Sequence, residues 1–381
     1  MRIAYLLLHD FSFARLPISE FVHRWFHFSK EYARRMSALG HQVTLYTLAD
    51  DLRTSVHYEL DGFTIKAFPV SFRFPPMLKF GNAQNPLVLR ELSADRPDII
   101  HFHTHQLWSY PYYAIWARAK GIPLVAQYHG RVDPFMRIKG RVFSSAYKMA
   151  DAYLAPTEED RRELVEDAGV ATGRVLKFPN TGVDTELFRL RGPKSEVPSM
   201  LYVGRIPDLP SNLWEKSPER LLFILYRMRK AGLPVKLTVV GDGPGLSHMQ
   251  EATRKLGLGD LVRFTGYLPQ SDLPRFYAES WFTFDPMYMT DIDPYWGGTL
   301  KESLSCGTPV VAFNDRRSGE REFGYLVRCD PAEAAVVLEA ALTTPDDLIA
   351  MGRRGRDFVT RHADWNVVTE RSMKVYNWCI A

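Results

Sequence analysis

Short apolar runs alternate with amphipathic stretches from one end of the chain to the other. The first run, Arg2 to Leu8, turns polar at His9 and reads as a buried strand. Phe21, Trp25, Phe28, Tyr32, Met36 and Leu39 then recur at spacings of three and four, which predicts one helix with a single apolar stripe, closed at Gly40. Further strands are expected at Gln42 to Leu48, Asp98 to Phe102, Pro123 to Tyr128 and Ala152 to Ala155. The last of these runs into Thr157-Glu158-Glu159-Asp160, where a capping threonine and acids in the first turn announce a helix. A second series places strands at Met200 to Val203, Val235 to Val240, Leu261 to Phe264, Trp281 to Phe284 and Pro309 to Phe313, with helical patterns between them. Strands that alternate with helices in this way predict an α/β protein whose parallel sheets are covered on both faces.

With 381 residues the chain exceeds the roughly 150 expected of one domain, and the two series suggest two. The first domain is expected over residues 1–188. Arg189 to Ser199, charged and broken by Gly192, Pro193 and Pro198, has the composition of a linker, and the second domain follows over 200–364. The final helix, from Trp365, has no partner strand after it, so residues 365–381 are expected to pack back on the first domain. A composition 46% hydrophobic and 24% charged is that of a folded globular protein. The opening apolar run is too short for a signal peptide, no stretch approaches the ~20 apolar residues of a membrane span, and three scattered cysteines define neither disulfides nor a metal site. These features lead to a cytoplasmic expectation, with room for a peripheral place on the inner face of the membrane. A net charge of +4 does not call for nucleic acid.

In open parallel sheets ligands sit beyond the carboxyl ends of the strands, so residues just after each strand matter most. Gly204 and Arg205 follow one strand and Lys216 precedes the next helix; two cations beside a helix start suit a diphosphate, the alternative being a solvated loop. Val239-Val240-Gly241-Asp242-Gly243-Pro244-Gly245 is a strand feeding a glycine turn, but Leu246 stands where a dinucleotide fingerprint needs its third glycine. In Trp296-Gly297-Gly298-Thr299-Leu300-Lys301-Glu302 two glycines open a helix whose free N–H groups suit a phosphate, and Glu302 suits a ribose diol. His101, His103 and His105 alternate at a strand end and are expected to share a face; no acid or cysteine accompanies them at ligand spacing, which argues against zinc. His129 closes the neighbouring strand, where a sugar pocket and a core hydrogen bond both remain open. Asp291 and Asp293 form a D-x-D in a loop.

Together these residues resemble glycosyltransferase family 4, retaining enzymes of the GT-B fold. Pro179-Asn180-Thr181-Gly182-Val183-Asp184 is similar to the family's P-N-G-V-D segment with Thr181 inserted, and Val203-Gly204-Arg205 to its V-G-R strand end. Val240-Gly241-Asp242-Gly243-Pro244 matches V-G-D-G-P, Val262 to Gly266 matches V-x-F-x-G, and Glu302 to Pro309 matches E-A-x-x-x-G-x-P with Ser303 for the alanine. The resemblance is diffuse in the first domain and nearly continuous from Ala150 onward. It implies two Rossmann-like domains facing each other across a cleft. It assigns the donor diphosphate to Arg205 and Lys216, ribose to Glu302, phosphate and sugar to the Gly297, Gly298, Thr299 and Leu300 backbone, and the transferred sugar to His129. Gly204, Gly241 and Gly243 complete the donor side. The family's first glutamate falls at Pro294, so either Asp291 or Asp293 substitutes or the role is missing. Its Gly-rich first loop is replaced by Asp10-Phe11-Ser12-Phe13-Ala14-Arg15, and Phe13 and Arg15 join His103 and His105 as acceptor-side candidates.

The expected activity is retaining transfer from a nucleotide-diphosphate sugar to an acceptor hydroxyl on a glycan, a glycolipid or a small glycoside, with no cofactor and no obligatory metal, since fixed cations neutralise the leaving group. The alternatives are a sugar phosphorylase or epimerase on the same fold, or a non-catalytic nucleotide-sugar binding subunit. Phe72-Arg73-Phe74-Pro75-Pro76-Met77-Leu78-Lys79-Phe80 is open to three readings: an acceptor loop, a peripheral membrane contact, or an ordinary partly buried loop. Base, sugar, acceptor and oligomeric state are not set by the sequence.

Overall fold

The computed structural model describes all residues except 10–16, 25, 77–80, 130–134 and 209–217. The chain forms two compact units, Met1–Asn180 with Asn366–Ala381, and Thr181–Trp365.

The first unit is built on β1 (Arg2–Leu7), β2 (Gln42–Ala49), β3 (Val56–Leu60), β4 (Phe63–Pro69), a small antiparallel pair β5 (Phe72–Arg73) and β6 (Ala83–Gln84), then β7 (Ile99–His103), β8 (Leu124–Gln127), β9 (Ala152–Ala155) and β10 (Val175–Lys177). Eight of these make one sheet in the order β10-β9-β8-β7-β1-β2-β4-β3, parallel throughout except for the β3–β4 edge pair. Alternation along β7 divides its residues between two faces. Ile100 and Phe102 join the core with Tyr110, Tyr113, Ala114 and Ala117 of the helix Tyr110–Lys120, while His101 and His103 lie against Tyr5 and Tyr32. The single helix expected over Phe21 to Leu39 is two, Ile18–His23 and Phe28–Ala38. His27 takes extended dihedrals and its Nδ1 accepts from the Ser29 N–H at 3.3 Å, so it caps a fresh helix start and the apolar stripe runs on across the break. Thr157 caps its helix reciprocally with Asp160, although that α-helix closes at Arg162 and a π turn follows.

The second unit carries β11 (Ser199–Val203), β12 (Lys236–Val240), β13 (Val262–Gly266), β14 (Phe282–Tyr288), β15 (Val310–Phe313), β16 (Gly319–Arg321) and β17 (Gly324–Val327), ordered β13-β12-β11-β14-β15-β17-β16 and parallel but for β16–β17. Met200 and Tyr202 face a core with Leu221, Leu225 and Met228 of the helix Glu219–Lys230. Leu201 faces the other core, with Tyr277, Leu300 and Leu304. Val183 and Phe188 are buried in that second core, and Gly182 leaves room for Trp365, whose ring atoms would lie 2.5 Å from an added Cβ. The stretch Arg189 to Ser199 is bonded into this unit: Lys194 Nζ donates to Thr308 Oγ1 at 2.5 Å, and Trp281 Nε1 donates to the Ser195 carbonyl at 2.9 Å.

Beyond the ends of β11 and β12 the backbones stay paired, Gly204 N donating to Val240 O at 3.0 Å and Ile206 N to Asp242 O at 2.9 Å. This contact is what the glycine turn permits. A Cβ on Gly241 would lie 2.0 Å from the Gly204 carbonyl oxygen and one on Gly243 would lie 2.1 Å from that of Ile206, at φ angles of 134° and 150° that other residues rarely adopt. Gly241→Ala is therefore expected to destabilise by about 2–4 kcal/mol and lower Tm by several degrees. Gly259→Ala, with nothing within 4 Å of the new methyl, should shift Tm little. Equal melting temperatures for the two variants would contradict the close-approach account.

Candidate functional site

At the carboxyl end of β11, Arg205 is exposed and forms no ion pair among the described residues; its carbonyl receives the Tyr202 hydroxyl at 2.6 Å. Its guanidinium is a fixed positive charge left for a ligand. Lys216 lies outside the described residues. Gly204 sits at the same strand end, half-buried, while the absent side chains of Gly241 and Gly243 answer to the backbone contact between the two strand ends.

The neighbouring strand β14 leads through a loop to the helix Gly298–Ser305. Gly297 begins it at φ 59° with no side-chain cap, so the first-turn N–H groups of Gly298, Thr299 and Leu300 precede the first helical bond. Gly298 and Thr299 are half-buried, whereas the Leu300 side chain is buried in the core and contributes only its backbone. Lys301, fully buried, donates from Nζ to the carbonyls of Tyr295 at 3.1 Å and Gly297 at 2.9 Å. Burial pushes its pKa down to about 7, with Asp293 and Glu302 nearby opposing the fall. The ammonium thereby pins both ends of the turn that opens the helix.

Glu302 is held on both oxygens, by Gln270 Nε2 at 3.0 Å and the Tyr277 hydroxyl at 2.7 Å. Burial, and the Glu302 carboxylate beside it, raise the Tyr277 phenol well above its usual range, so it stays a donor. Of the two aspartates, Asp291 is exposed and 3.9 Å from Arg321 Nε. Asp293 is half-buried, accepts from the Tyr295 N–H at 3.0 Å and lies in the electrostatic neighbourhood of Lys301. Pro294 is buried between them.

In the first unit, His101 and His103 stack with centroids 4.3 Å apart, on the face expected. His105 departs from them. Strand β7 ends at His103 and Thr104 takes φ 69°, which breaks the alternation; His105 is turned among Tyr110, Tyr128, Tyr147 and Tyr153, the surroundings of Phe102. It is fully buried, with Nδ1 3.3 Å from the Gln127 carbonyl. His103 Nδ1 lies 2.9 Å from Nε2 of the half-buried His129, whose ring stacks on Phe28 at 4.1 Å and 13°. His101 Nδ1 meets the Tyr376 hydroxyl at 2.5 Å, and Tyr376 meets Tyr5 at 3.2 Å. Burial, reinforced by neighbouring imidazoles, holds His103 and His129 well below the usual histidine pKa, so both rings are neutral. Among the described residues no group of three or more His, Cys, Asp or Glu is arranged to hold a metal ion. Phe13 and Arg15 lie outside the described residues, as do 77–80 of the aromatic segment; Phe72 and Phe74 are exposed and Arg73 is paired with Asp50 at 2.7 Å. No helix among the described residues is long and apolar enough to cross a membrane.

Lys301, Tyr277 and Gln270 carry no motif of their own. The available signal was a lysine one residue from Leu300 and three from Leu304, inside the apolar stripe of its helix.

Residues 28–187 match the model of Glycosyltransferase Family 4, and residues 184–340 that of Glycosyl transferases group 1. The D-inositol 3-phosphate glycosyltransferase of Thermomonospora curvata is 29% identical, over 91% of this chain and 88% of that one. A sulfoquinovosyl transferase of Arabidopsis thaliana is 26% identical, over 90% and 68%. Among solved structures, HepE of Anabaena in complex with UDP-glucose superposes with a TM-score of 0.70 at 16% identity, covering 99% of both chains, and shares the fold. With the two family matches running without a gap from residue 28 to 340 over two parallel-sheet units of the GT-B fold, the chain belongs to glycosyltransferase family 4 and is an enzyme of the hexosyltransferase type.

Proposed function

We propose that the chain moves a sugar from a nucleoside diphosphate to an acceptor hydroxyl with retention and without a metal. What supports this is that, after the carboxyl ends of the paired strands β11 and β14, the chain presents an exposed guanidinium with no ion pair among the described residues, an uncapped helix start and a carboxylate held on both oxygens. Each group suits one part of such a donor. The bond that breaks joins the anomeric carbon to a phosphate oxygen, so negative charge grows on the diphosphate while the sugar becomes oxocarbenium-like. Arg205, Lys216 and the Gly298 and Thr299 N–H groups stabilise that charge, and the leaving phosphate helps to deprotonate the acceptor on the same face of the sugar. Glu302, its carboxylate oxygens each held by a donor, accepts from the ribose diol. His129 meets the transferred sugar, and Asp293, beside Lys301, takes the place of the carboxylate lost at Pro294. The UDP-glucose of HepE and the phosphorylated inositol named for the Thermomonospora enzyme support a hexose donor and a polyol acceptor. Pro294 favours one second reading, a nucleotide-sugar binding subunit that does not turn over.

A thermal-shift screen with UDP-, GDP-, ADP- and TDP-sugars identifies the donor, since a ligand that binds only the native state raises Tm. With that donor, Arg205→Ala is expected to lower kcat by on the order of 10²–10³ while EDTA leaves the wild-type rate unchanged. A wild-type rate in Arg205→Ala removes the assigned role; tight donor binding without hydrolysis or transfer selects the non-catalytic reading.

Lys301 adds a dependence on pH. The unfolded chain keeps this lysine protonated to its ordinary value of 10.5, the folded chain only to about 7, so between those values the unfolded state binds the extra proton and stability rises with pH. Relative to Lys301→Met, the wild type should gain stability as pH is raised from about 7 to about 10. Urea melts whose separation stays constant across that window would show that the ammonium is not buried as described.

A further inference from the structure

We infer that the first unit carries a second ligand site, away from the strand ends described above, which takes one ring of a neutral saccharide among Trp378, Asp151 and Arg174. The inference goes beyond the proposed transfer and does not rest on it.

The site is a cavity of about 240 Å³ lined by Asp151, Gly173, Arg174, Trp378 and Cys379. Asp151 stands just before β9 and Arg174 just before β10, and Leu124, which Asp151 engages, opens β8. The last turn of the helix Trp365–Ile380 brings Trp378 and Cys379 to the same place. These residues therefore gather at the amino ends of the strands, whereas His129 follows the carboxyl end of β8.

Two side chains of opposite charge share this cavity without meeting. Asp151 is held through Oδ2, which accepts from the Leu124 N–H at 2.8 Å. Arg174 is held through Nη1, which donates to the carbonyls of Lys148 at 3.0 Å and Ala150 at 3.3 Å. Each is anchored on backbone, and neither forms an ion pair among the described residues. One carboxylate oxygen and the other guanidinium N–H groups are thus left for a ligand. Trp378 is 57% exposed, and its ring packs on no other aromatic ring among the described residues.

This combination selects the ligand by exclusion. A phosphate or carboxylate gains little, because the carboxylate opposes what the guanidinium offers. Burial, with the Asp151 carboxylate nearby, pushes the Cys379 thiol up to about 12, so the remaining wall is neutral. An apolar ligand would strip water from both charges and replace none of it. A pyranose ring meets every demand: its C–H face lies on the electron-rich indole, one hydroxyl donates to Asp151, and another accepts from Arg174. The volume is below the roughly 300–1,000 Å³ of pockets that enclose drug-sized ligands, so it admits one ring and not a nucleotide sugar. With both ions anchored and the thiol neutral, the site retains a saccharide and performs no chemistry on it.

The probes are methyl glucoside, methyl mannoside and methyl galactoside, titrated into the full-length nitrogen-15-labelled protein. At least one is expected to shift the Trp378 indole N–H signal saturably, with a Kd on the order of 1–10 mM. That signal is assigned by its disappearance in Trp378→Ala, a change at an exposed ring that leaves the core intact. Asp151→Asn keeps an acceptor for the Leu124 N–H but loses the charge, and should weaken binding of that probe about tenfold. Glucose 6-phosphate should bind no more tightly than methyl glucoside; tighter binding makes this an anion site and overturns the inference. Shifts that stay linear for all three glycosides up to about 100 mM, well beyond that Kd range, overturn it equally. None of these readings uses sugar transfer, so loss of the site leaves the proposed function standing, and loss of the proposed function leaves the site.

Discussion

A buried ammonium persists only where carbonyls and carboxylates replace its water, and in Lys301 that constraint is turned into order at a helix start. Its Nζ is held by the Tyr295 and Gly297 carbonyls, with Asp293 and Glu302 supplying negative charge nearby. Both carbonyls belong to the turn that delivers the Gly298 N–H into the helix start, so the cation ties the least regular stretch after β14 to the most regular one. A glycine pair alone would leave that turn free to adopt many conformations, at a cost in entropy whenever an anion had to be met. A lysine beneath it removes that freedom before any ligand arrives. The same turn carries the groups proposed to meet phosphate, so the order of the donor side depends on a residue that does not itself reach the donor.

The first unit solves a comparable problem with neutral groups. At the ends of β7 and β8 its polar side chains include the imidazoles of His101, His103 and His129, kept uncharged by burial and each aimed by a stack or a hydrogen bond, beside the Gln127 carboxamide. Uncharged imidazoles suit a sugar, which offers hydroxyls and carries its positive charge only in passing. Fixed cations and N–H dipoles suit a diphosphate, which is charged throughout.

Much of the fold was legible because parallel strands buried on both faces must be apolar at nearly every position, as in β9, β11 and β15. Short edge strands escaped that logic: β3 and β16 have alternating or exposed faces and pair antiparallel with the next strand in the chain. The break at His27 was invisible to spacing because apolar residues recur at helical intervals on both sides of it in the sequence. His105 was misplaced because alternation presumes extended backbone, and nothing in the residue type of Thr104 announces a positive φ. At the site, Arg205, Glu302 and the glycines stood out by their place in motifs. Lys301 and Tyr277 did not, since a lysine in an apolar stripe and a tyrosine in a core look ordinary until their partners are known. Gly241 and Gly243 were legible as special positions, but the close approach of the adjoining loop that a Cβ there would block was not.

The loss of a glutamate at Pro294 then acquires a physical sense. A second ionised carboxylate at that position, close to Glu302 and ahead of the helix start, would add negative charge where a diphosphate is proposed to sit, and would compete for the Lys301 ammonium. Pro294 contributes neither charge nor N–H, and its ring fixes the backbone between Asp293 and Tyr295. Asp293 engages the Tyr295 N–H, so one of its oxygens is already committed to the loop. What the second unit presents near the strand ends is therefore two carboxylates engaged by the protein, Glu302 on both oxygens and Asp293 on the loop, set against the buried Lys301 ammonium and the exposed Arg205 guanidinium.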